Sequence, residues 1–316
     1  MALSEFAIIK KYFTQQATND LLVGIGDDCA VIPKLSYPLS ISVDTSIAGK
    51  HFPQDAPADL IAARALNVAV SDLAAMAATP KYFTLSISLP PIEETWLKLF
   101  STGLFKAAKT LGIELIGGDT TAVDDLSSLS ISITVMGIHD NNPALCRNGA
   151  KVNDYLYVTG PLGDAAMGLK CYFMQNQLES VDKNYFLTAY LQPKAKMHIA
   201  KKIASITNAC IDISDGFLQD LDHILYSSNL GAIIDLNKIP LSKNLLNNAT
   251  LSECLTMALT GGDDYELCFT SSVAPESIQV PAFCIGRLIQ EPSIIFENDN
   301  LNMMHNFSTK GYDHFK

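Results

Sequence analysis

Apolar and small polar residues alternate along three segments in the first half of the chain, 39–43, 83–89 and 129–135. A period of two is typical of strands that bury one face and leave the other partly polar. We therefore predict three strands of one sheet. A shorter strand is predicted over 113–116, which runs into Gly117 and Gly118.

Two helices are predicted between these strands. Residues 57–78 are rich in Ala and Leu, and Pro57 suits the first turn of a helix, so a long and mostly buried helix is expected. Residues 93–111 are amphipathic and end at Gly112, a residue that favours a helix terminus. Residues 1–13 predict a short amphipathic helix, without the apolar core of a signal peptide.

The turn-forming cluster over 140–143 predicts a domain boundary near residue 140. The chain has 316 residues, which suits about two domains. Strands and helices are mixed after the boundary. The strands are expected over 155–158, 211–213, 232–235, 266–269 and 282–285, and the helices from 164 and over 195–205 and 217–228. The pattern thus predicts an α+β fold with domains 1–140 and 141–316, the second a mixed α/β domain.

The net charge of the chain excludes some classes of binding partner. The chain has 33 acidic and 22 basic residues and a net charge of −11. This balance argues against a general binder of nucleic acid or of an anionic membrane, because such proteins need a basic face. A phosphorylated substrate would be repelled, so divalent metal ions are expected to offset the repulsion.

Cysteine usage and hydropathy indicate the compartment. The seven cysteines are scattered and form no C-x-x-C, which argues against a disulfide framework and a zinc ribbon. The sequence has no apolar run near the 18 or so residues that would span a bilayer. We expect a cytoplasmic protein.

Aspartates recur directly after apolar strands or glycines, and carboxylates placed there can converge in space. Hard cations such as Mg²⁺ prefer oxygen ligands. Each motif alone is equally compatible with a turn or, at Asp215-Gly216, with a helix N-cap. Asp72 lies in an apolar stretch of the predicted helix 57–78, so it is either on a solvated face or a ligand.

Several familiar catalytic motifs are absent from the sequence. It has no P-loop G-x-x-x-x-G-K-[ST], no protein-kinase H-R-D or D-F-G set, no G-x-S-x-G and no H-E-x-x-H. Asp44-Thr45-Ser46 lacks the D-x-D of an aspartyl-phosphate phosphatase, which weakens a covalent route.

Seven motifs in order resemble the thiamine-monophosphate kinase family, within the superfamily of aminoimidazole ribotide synthetase and selenophosphate synthetase. They extend over nearly the whole chain: Gly24–Ala30, Val43–Thr45 with Ala48–Phe52, Asn67–Met76, Leu115–Thr120, Ile211–Gly216, Gly261–Leu267 and Lys310–Phe315. The resemblance implies ATP-dependent phosphorylation of thiamine monophosphate to thiamine diphosphate, with several Mg²⁺ ions. It also implies a homodimer paired through the N-terminal sheet, and an active site in a cleft that the C-terminal domain completes.

The resemblance assigns roles to particular residues. Metal ligation is implied for Asp28, Ser42, Val43 (through its backbone), Asp44, Asp72, Asp119, Asp212 and Asp215. Nucleotide contacts are implied at Gly118, Asp119, Arg147 and Ser214, and substrate contacts at His51, Asp263 and Tyr312. No covalent catalytic residue is implied.

Three positions depart from the family pattern. Val43 replaces a Thr, Asp263 replaces a Glu and is one methylene shorter, and Ala77 stands where Gly is usual. The change at Ala77 should cost little unless the backbone there needs a positive φ.

The mechanism expected is direct transfer, because the acceptor phosphate is largely deprotonated near pH 7 and needs no strong base. Two alternatives stay open. A sibling ATP-dependent synthetase would share the aspartates and use another substrate, and a non-catalytic nucleotide sensor would keep the fold without turnover.

Overall fold

The computed structural model describes residues 4–14, 21–25, 29–125, 129–140, 142–174 and 180–300. The described residues form two sheets with helices, which confirms the predicted α+β class. Contacts divide the chain into two units. The first comprises Met1–Leu73 and Ala78–Asn141, and the second comprises Ala74–Ala77 and Asn142–Lys316.

The first unit contains a four-stranded sheet in the order β1-β4-β2-β3. Strands β2 and β3 are parallel, and the other two pairs are antiparallel. A π-helical turn, Ile9–Phe13, continues the first helix. The elements are α1 (Glu5–Ile8), β1 (Leu39–Ile47), α2 (Ala58–Ala75), β2 (Thr79–Leu89), α3 (Glu94–Leu111), β3 (Glu114–Ala122) and β4 (Ser130–Ile138).

The sheet of the first unit has one buried and one more open face. Ile131, Ile133 and Val135 of β4 are buried, whereas the residues between them are half-buried. The alternation of apolar and polar residues in the sequence thus reflects the two faces of these strands. Helices α2 and α3 approach each other at Gly103, where an added Cβ would lie 2.2 Å from the Asp59 carbonyl oxygen.

The second unit contains a six-stranded sheet in the order β10-β7-β9-β5-β8-β6. Its elements are β5 (Tyr155–Val158), α4 (Asp164–Met174), α5 (Ser180–Leu191), α6 (Met197–Ile203), β6 (Ala209–Asp212), α7 (Phe217–Ser228), β7 (Gly231–Asp235), α8 (Lys243–Asn248), α9 (Leu251–Thr260), β8 (Leu267–Ser271), β9 (Phe283–Ile289) and β10 (Ile294–Glu297). Strands β10 and β7 are parallel, and all other pairs are antiparallel.

This topology brings several strand ends to one edge of the second sheet. Strands β5, β6, β7 and β10 run in the same direction, so their carboxyl ends share that edge with the start of β8. One face packs against α7 and α9, through residues such as Leu221 and Leu259. The other packs against α6, through Ile203. Asp212 ends β6 at this edge, and the loops beside it carry Ser214, Asp215 and Asp263.

Helix α2 ends in a way that the sequence left open. Ala77 has φ +54°, and the N–H of Ala78 donates to the Leu73 carbonyl oxygen at 2.9 Å. This is a Schellman ending, in which the left-handed residue is usually Gly. The backbone at Ala77 therefore does need a positive φ, and the alanine carries strain there.

Among the described residues, none of the helices has the length and apolar character needed to span a membrane.

Candidate active site

Strand β1 and helix α2 bring three of the predicted metal ligands together. Ser42 and Asp44 are two residues apart on β1 and therefore point to the same face. The Ser42 hydroxyl donates a hydrogen bond to Asp72 Oδ2 on α2. Asp72 is half-buried and has a polar partner in Ser42, and its role as a metal ligand stays a prediction.

Val43 points away from this group. Its side chain is exposed on the opposite face of β1, together with Leu39 and Ile41. A metal contact through the Val43 backbone stays a prediction. Asp28 and Tyr312 lie outside the described residues.

Gly118 and Asp119 lie on β3, at the other end of the same sheet. Gly118 is in register with Leu85, and an added Cβ would lie 1.9 Å from the Leu85 carbonyl oxygen. Packing alone therefore requires a glycine at 118. Asp119 is exposed and accepts a hydrogen bond from Thr121 Oγ1 at 3.2 Å.

The strand order separates the predicted ligands of the first unit. Asp44 on β1 and Gly118 on β3 occupy one row across the sheet, because Asp44 pairs with Ile133, Ile133 with Leu85, and Leu85 with Gly118. Three strand spacings amount to about 14 Å along the sheet. A Mg²⁺–oxygen distance is about 2.1 Å, so Asp44 and the neighbouring Asp119 do not share one ion.

A cavity of about 350 Å³ lies beside Gly118 and Asp119 in the first unit. Phe6, Ile9 and Phe13 form part of its apolar lining. A cavity that combines an apolar wall with a few polar groups is typical of small-molecule sites.

His51 follows β1 in a tight turn that includes Gly49 at φ +77°. Its Nδ1 accepts a hydrogen bond from the Ile47 N–H at 3.0 Å. The neutral ring therefore carries its proton on Nε2. This contact fixes the ring within the first unit, and the predicted role in substrate binding stays a prediction.

Two loops of the second unit carry most of its predicted site residues. The first site loop, residues 213–216, follows β6 and contains Ser214 and Asp215. The second site loop, residues 261–266, precedes β8 and contains Asp263. The Asp263 N–H donates to the Ser214 carbonyl oxygen at 2.8 Å, so the two loops are in direct contact.

Gly262 makes this contact possible, since an added Cβ would lie 2.4 Å from the Ser214 carbonyl oxygen. The second site loop is also strained, with φ +70° at Asp263 and +49° at Tyr265. The Tyr265 hydroxyl donates to Asp263 Oδ1 at 3.1 Å and orients that carboxylate.

Asp212 is buried at the carboxyl end of β6, and Asp215 is half-buried. The amide of Gln219 donates to Asp215 Oδ2 at 3.1 Å. Arg147 is exposed, and its loop is fixed by a hydrogen bond from the Cys210 N–H to the Cys146 carbonyl oxygen at 2.9 Å.

Sequence reasoning missed a buried carboxylate behind the first site loop. Asp220 Oδ2 accepts hydrogen bonds from the backbone N–H groups of Ser214, Asp215 and Gly216 at 2.9, 3.1 and 3.3 Å. Burial and, to a lesser extent, the carboxylates of Asp212 and Asp215 raise the pKa of Asp220 to about 7. The signal in the sequence was an acidic residue four positions after Gly216, inside the first turn of a helix.

Two further acidic residues hold the second site loop. Asp264 accepts backbone N–H groups at the start of α4, from Gly163 at 2.8 Å and Ala165 at 3.4 Å. Burial raises the pKa of Asp264 well above its usual range. Glu266 is buried, forms an ion pair with Lys196 at 2.6 Å and accepts from the Thr159 hydroxyl at 2.6 Å.

Within the described parts of the chain, no group of three or more His, Cys, Asp or Glu side chains is placed to hold a metal ion. Mg²⁺ commonly takes only one or two protein carboxylates and completes its coordination with water and phosphate oxygens. The donor set of Ser42, Asp44 and Asp72 consists of hard oxygen atoms and suits that ion.

Comparison with known proteins identifies the family. A family model described as AIR synthase related protein, N-terminal domain, matches residues 26–139. Thiamine-monophosphate kinase of Salmonella typhimurium is 40% identical and aligns over 100% of this chain and 99% of its own. The chain belongs to the thiamine-monophosphate kinase family. The predicted membership and the predicted enzyme class, a kinase, are thereby confirmed.

Solved structures of this family share the fold. A crystal structure of thiamine-monophosphate kinase from Stenotrophomonas maltophilia matches with a TM-score of 0.80 and 35% identity, over 88% of this chain and 92% of the other. A structure of AaThiL complexed with AMPPCP and TMP matches with a TM-score of 0.79 and 28% identity, over 92% of each chain.

Proposed function

We propose that this protein transfers a phosphoryl group from ATP to thiamine monophosphate and forms thiamine diphosphate. One observation carries the proposal. The two site loops bring the predicted nucleotide residue Ser214, metal residue Asp215 and substrate residue Asp263 into one small region. The AaThiL complex supports it further, because that relative holds AMPPCP and TMP together.

The acidic residues suit a role in holding several Mg²⁺ ions. Ser42, Asp44 and Asp72 would hold ions in the first unit, and Asp119, at the other end of the same sheet, would serve a different ion. Asp212 and Asp215 would act in the second unit. Bound Mg²⁺ would neutralise phosphate charge, which otherwise repels at about 4 kcal/mol for two unit charges 4 Å apart at an effective dielectric of 20.

The residues of this chain would bind, orient and screen the reactants rather than attack them. The acceptor is a phosphate oxygen, which is largely deprotonated near pH 7 and needs no strong general base. The Ile47 N–H holds the His51 ring through Nδ1, which suits a fixed side chain with a role in substrate binding. We therefore expect direct in-line transfer without a phosphoenzyme.

The cavity beside Gly118 suits the nucleotide. Its apolar wall of Phe6, Ile9 and Phe13 matches the flat face of a base, and the polar end at Asp119 lies where a metal-bound phosphate would be placed. Arg147 would contact phosphate oxygens, since its guanidinium suits bidentate pairing.

A homodimer through the first unit fits one feature of β1. This strand lies at the end of the sheet order, and its outward row of Leu39, Ile41 and Val43 is exposed and apolar. Such a row is typical of a surface that pairs with another chain. Light scattering should therefore give twice the chain mass, and Ile41→Asp should shift it toward the monomer mass.

The decisive experiment is a turnover assay with ATP, Mg²⁺ and thiamine monophosphate. Formation of thiamine diphosphate supports the proposal, whereas activity only with aminoimidazole precursors would identify a sibling synthetase. Absence of turnover, with nucleotide binding retained, would identify a sensor. Incubation with ATP labelled at the γ-phosphate, followed by denaturation, should leave no label on the protein.

A further inference from the structure

The first site loop has an unusual arrangement of hydrogen bonds. Three consecutive backbone N–H groups, of Ser214, Asp215 and Gly216, converge on a single oxygen of Asp220. The Asp220 side chain is only 3% exposed and reaches back from the first turn of α7. One buried carboxylate thus determines the path of the whole loop.

The loop leads into a helix that has no ordinary side-chain cap. Helix α7 has Gly216 at its N-cap position, with φ +126° and no side-chain cap. An added Cβ at Gly216 would lie 2.8 Å from the Thr260 carbonyl oxygen, so packing excludes a Ser, Thr or Asp cap. Asp220, in the first turn of α7, instead accepts the N–H of Gly216 and of the two residues before it, which a side chain at the N-cap position would not take.

The arrangement extends to the second site loop. The carbonyl oxygen of Ser214 accepts the Asp263 N–H at 2.8 Å, and the Ile213 carbonyl oxygen accepts the Tyr265 N–H at 2.8 Å. Movement of the first loop would therefore displace the second. Asp220 itself is buried and its Oδ2 is engaged by the first site loop, so it is not exposed for direct contact with a reactant.

We propose that Asp220 is a positioning residue: it fixes the first site loop so that Asp215 and Ser214 present their oxygens toward metal and nucleotide. This inference rests on the proposed function of that loop. Partners behind ligating residues commonly contribute 10–100-fold to metal affinity or activity.

The test uses the full chain with Asp220→Asn, which keeps the shape of the side chain and removes its charge. Asp222→Asn is the matched control, because Asp222 lies two residues further along α7 and is exposed. Asp220→Glu retains the carboxylate and should restore part of any loss.

Hydrogen exchange gives the direct readout. We expect the amides of Ser214, Asp215 and Gly216 to exchange at least about tenfold faster in Asp220→Asn, whereas the β5 and β8 amides keep their protection. Unchanged exchange at these three amides would overturn the inference.

Mn²⁺ binding, followed by electron paramagnetic resonance in the presence of ATP, separates positioning from simple structural support. We expect the Mn²⁺ dissociation constant, and the Mg²⁺ concentration for half-maximal turnover, to rise at least about tenfold in Asp220→Asn. Asp222→Asn should leave both unchanged. Faster loop exchange with unchanged Mn²⁺ affinity would show a merely structural role.

These measurements also separate this inference from the proposed function. Exchange and Mn²⁺ binding require no turnover, so they remain informative if the protein does not phosphorylate thiamine monophosphate. Should Asp220→Asn fail to fold, the Asp220→Glu variant still tests the inference. It should fold, and it should show an intermediate Mn²⁺ affinity rather than that of the unaltered chain.

Discussion

The two units present their candidate site residues in different ways. In the first unit, Ser42 and Asp44 lie on a strand and Asp72 lies on a helix, so the regular elements themselves aim the side chains. In the second unit, Ser214, Asp215 and Asp263 lie on loops. Those loops owe their shape to buried acidic side chains and to backbone close approaches.

The difference shows which contacts hold the candidate site residues in place in each unit. A strand needs little beyond its own ladder to hold two side chains on one face. A loop needs its backbone N–H groups satisfied from elsewhere, and Asp220 does this for the first site loop. Asp264 ties the second site loop to the backbone at the start of α4. We therefore expect conservative changes to have separable effects in the first unit and coupled effects in the second.

The largest effect is expected from Asp44→Asn. If Asp44 holds a metal ion as proposed, loss of its charge should lower kcat/KM roughly 1,000-fold, because phosphate repulsion is no longer offset, while the β1 ladder keeps the fold. Steady-state kinetics and circular dichroism measure the two effects separately. Asp124→Asn, at an exposed position of the same unit, should change neither kcat/KM nor the secondary structure. A loss of secondary structure in Asp44→Asn would contradict the separation that we infer for the first unit.

The next effect is expected from Gly262→Ala. The added methyl group meets the Ser214 carbonyl oxygen, so both site loops must shift; turnover should fall at least about tenfold and the free energy of unfolding by about 2 kcal/mol. In the first unit, an added Cβ at Gly112 meets nothing within 4 Å. Gly112→Ala should therefore cost only about 1 kcal/mol, from its φ of +66°, and leave turnover intact. Equal activity of both variants would argue against coupled loops.

A smaller effect is expected on the pH dependence of the free energy of unfolding, through Asp264. Because burial raises its pKa in the folded protein, Asp264 binds a proton more tightly there than in the unfolded chain. Its stabilising contribution is full below the unfolded pKa, near 4, and is lost as pH rises toward the folded value. Asp264→Asn should thus flatten the fall in unfolding free energy as pH rises above about 4. Urea titrations across this range measure it, and an unchanged slope would be the contrary result.

The smallest effect is expected at the end of α2. Ala77→Gly relieves the left-handed strain, worth about 1 kcal/mol, and removes a buried methyl group of similar value, so the free energy of unfolding should change by less than about 1 kcal/mol. Ala74→Gly, inside the same helix, has no strain to relieve and should cost about 1–2 kcal/mol. Thermal unfolding distinguishes the two, and equal losses would show that Ala77 is unstrained.

The pattern of the sequence predicted the regular elements well where periodicity was strong. Strand 155–158 and helix 217–228 agree with the structure at both ends, and the three alternating strands of the first half lie within β1, β2 and β4 apart from Leu129. Helices α5, α8 and α9 and strand β10 were missed. Helix α9 did carry a signal, the capping box of Thr250 and Glu253.

The candidate site was predictable only as a set of positions. Aspartates after strands and glycines were visible in the sequence, and the family resemblance gave them roles. The separation of Asp44 from Asp119 was not visible, because it follows from strand order rather than from spacing along the chain. Asp220 was missed because its signal, an acidic residue in the first turn of a helix, is equally typical of a solvated helix start.

The sequence by itself determined the α+β class, the acidic character and the family, since periodicity, composition and ordered motifs are properties of the chain alone. Only the tertiary structure decided which aspartates lie near one another, which glycines allow close approach and which carboxylate holds a loop. Those properties depend on strand order and on the burial of polar groups, and both arise from contacts between residues far apart in the chain.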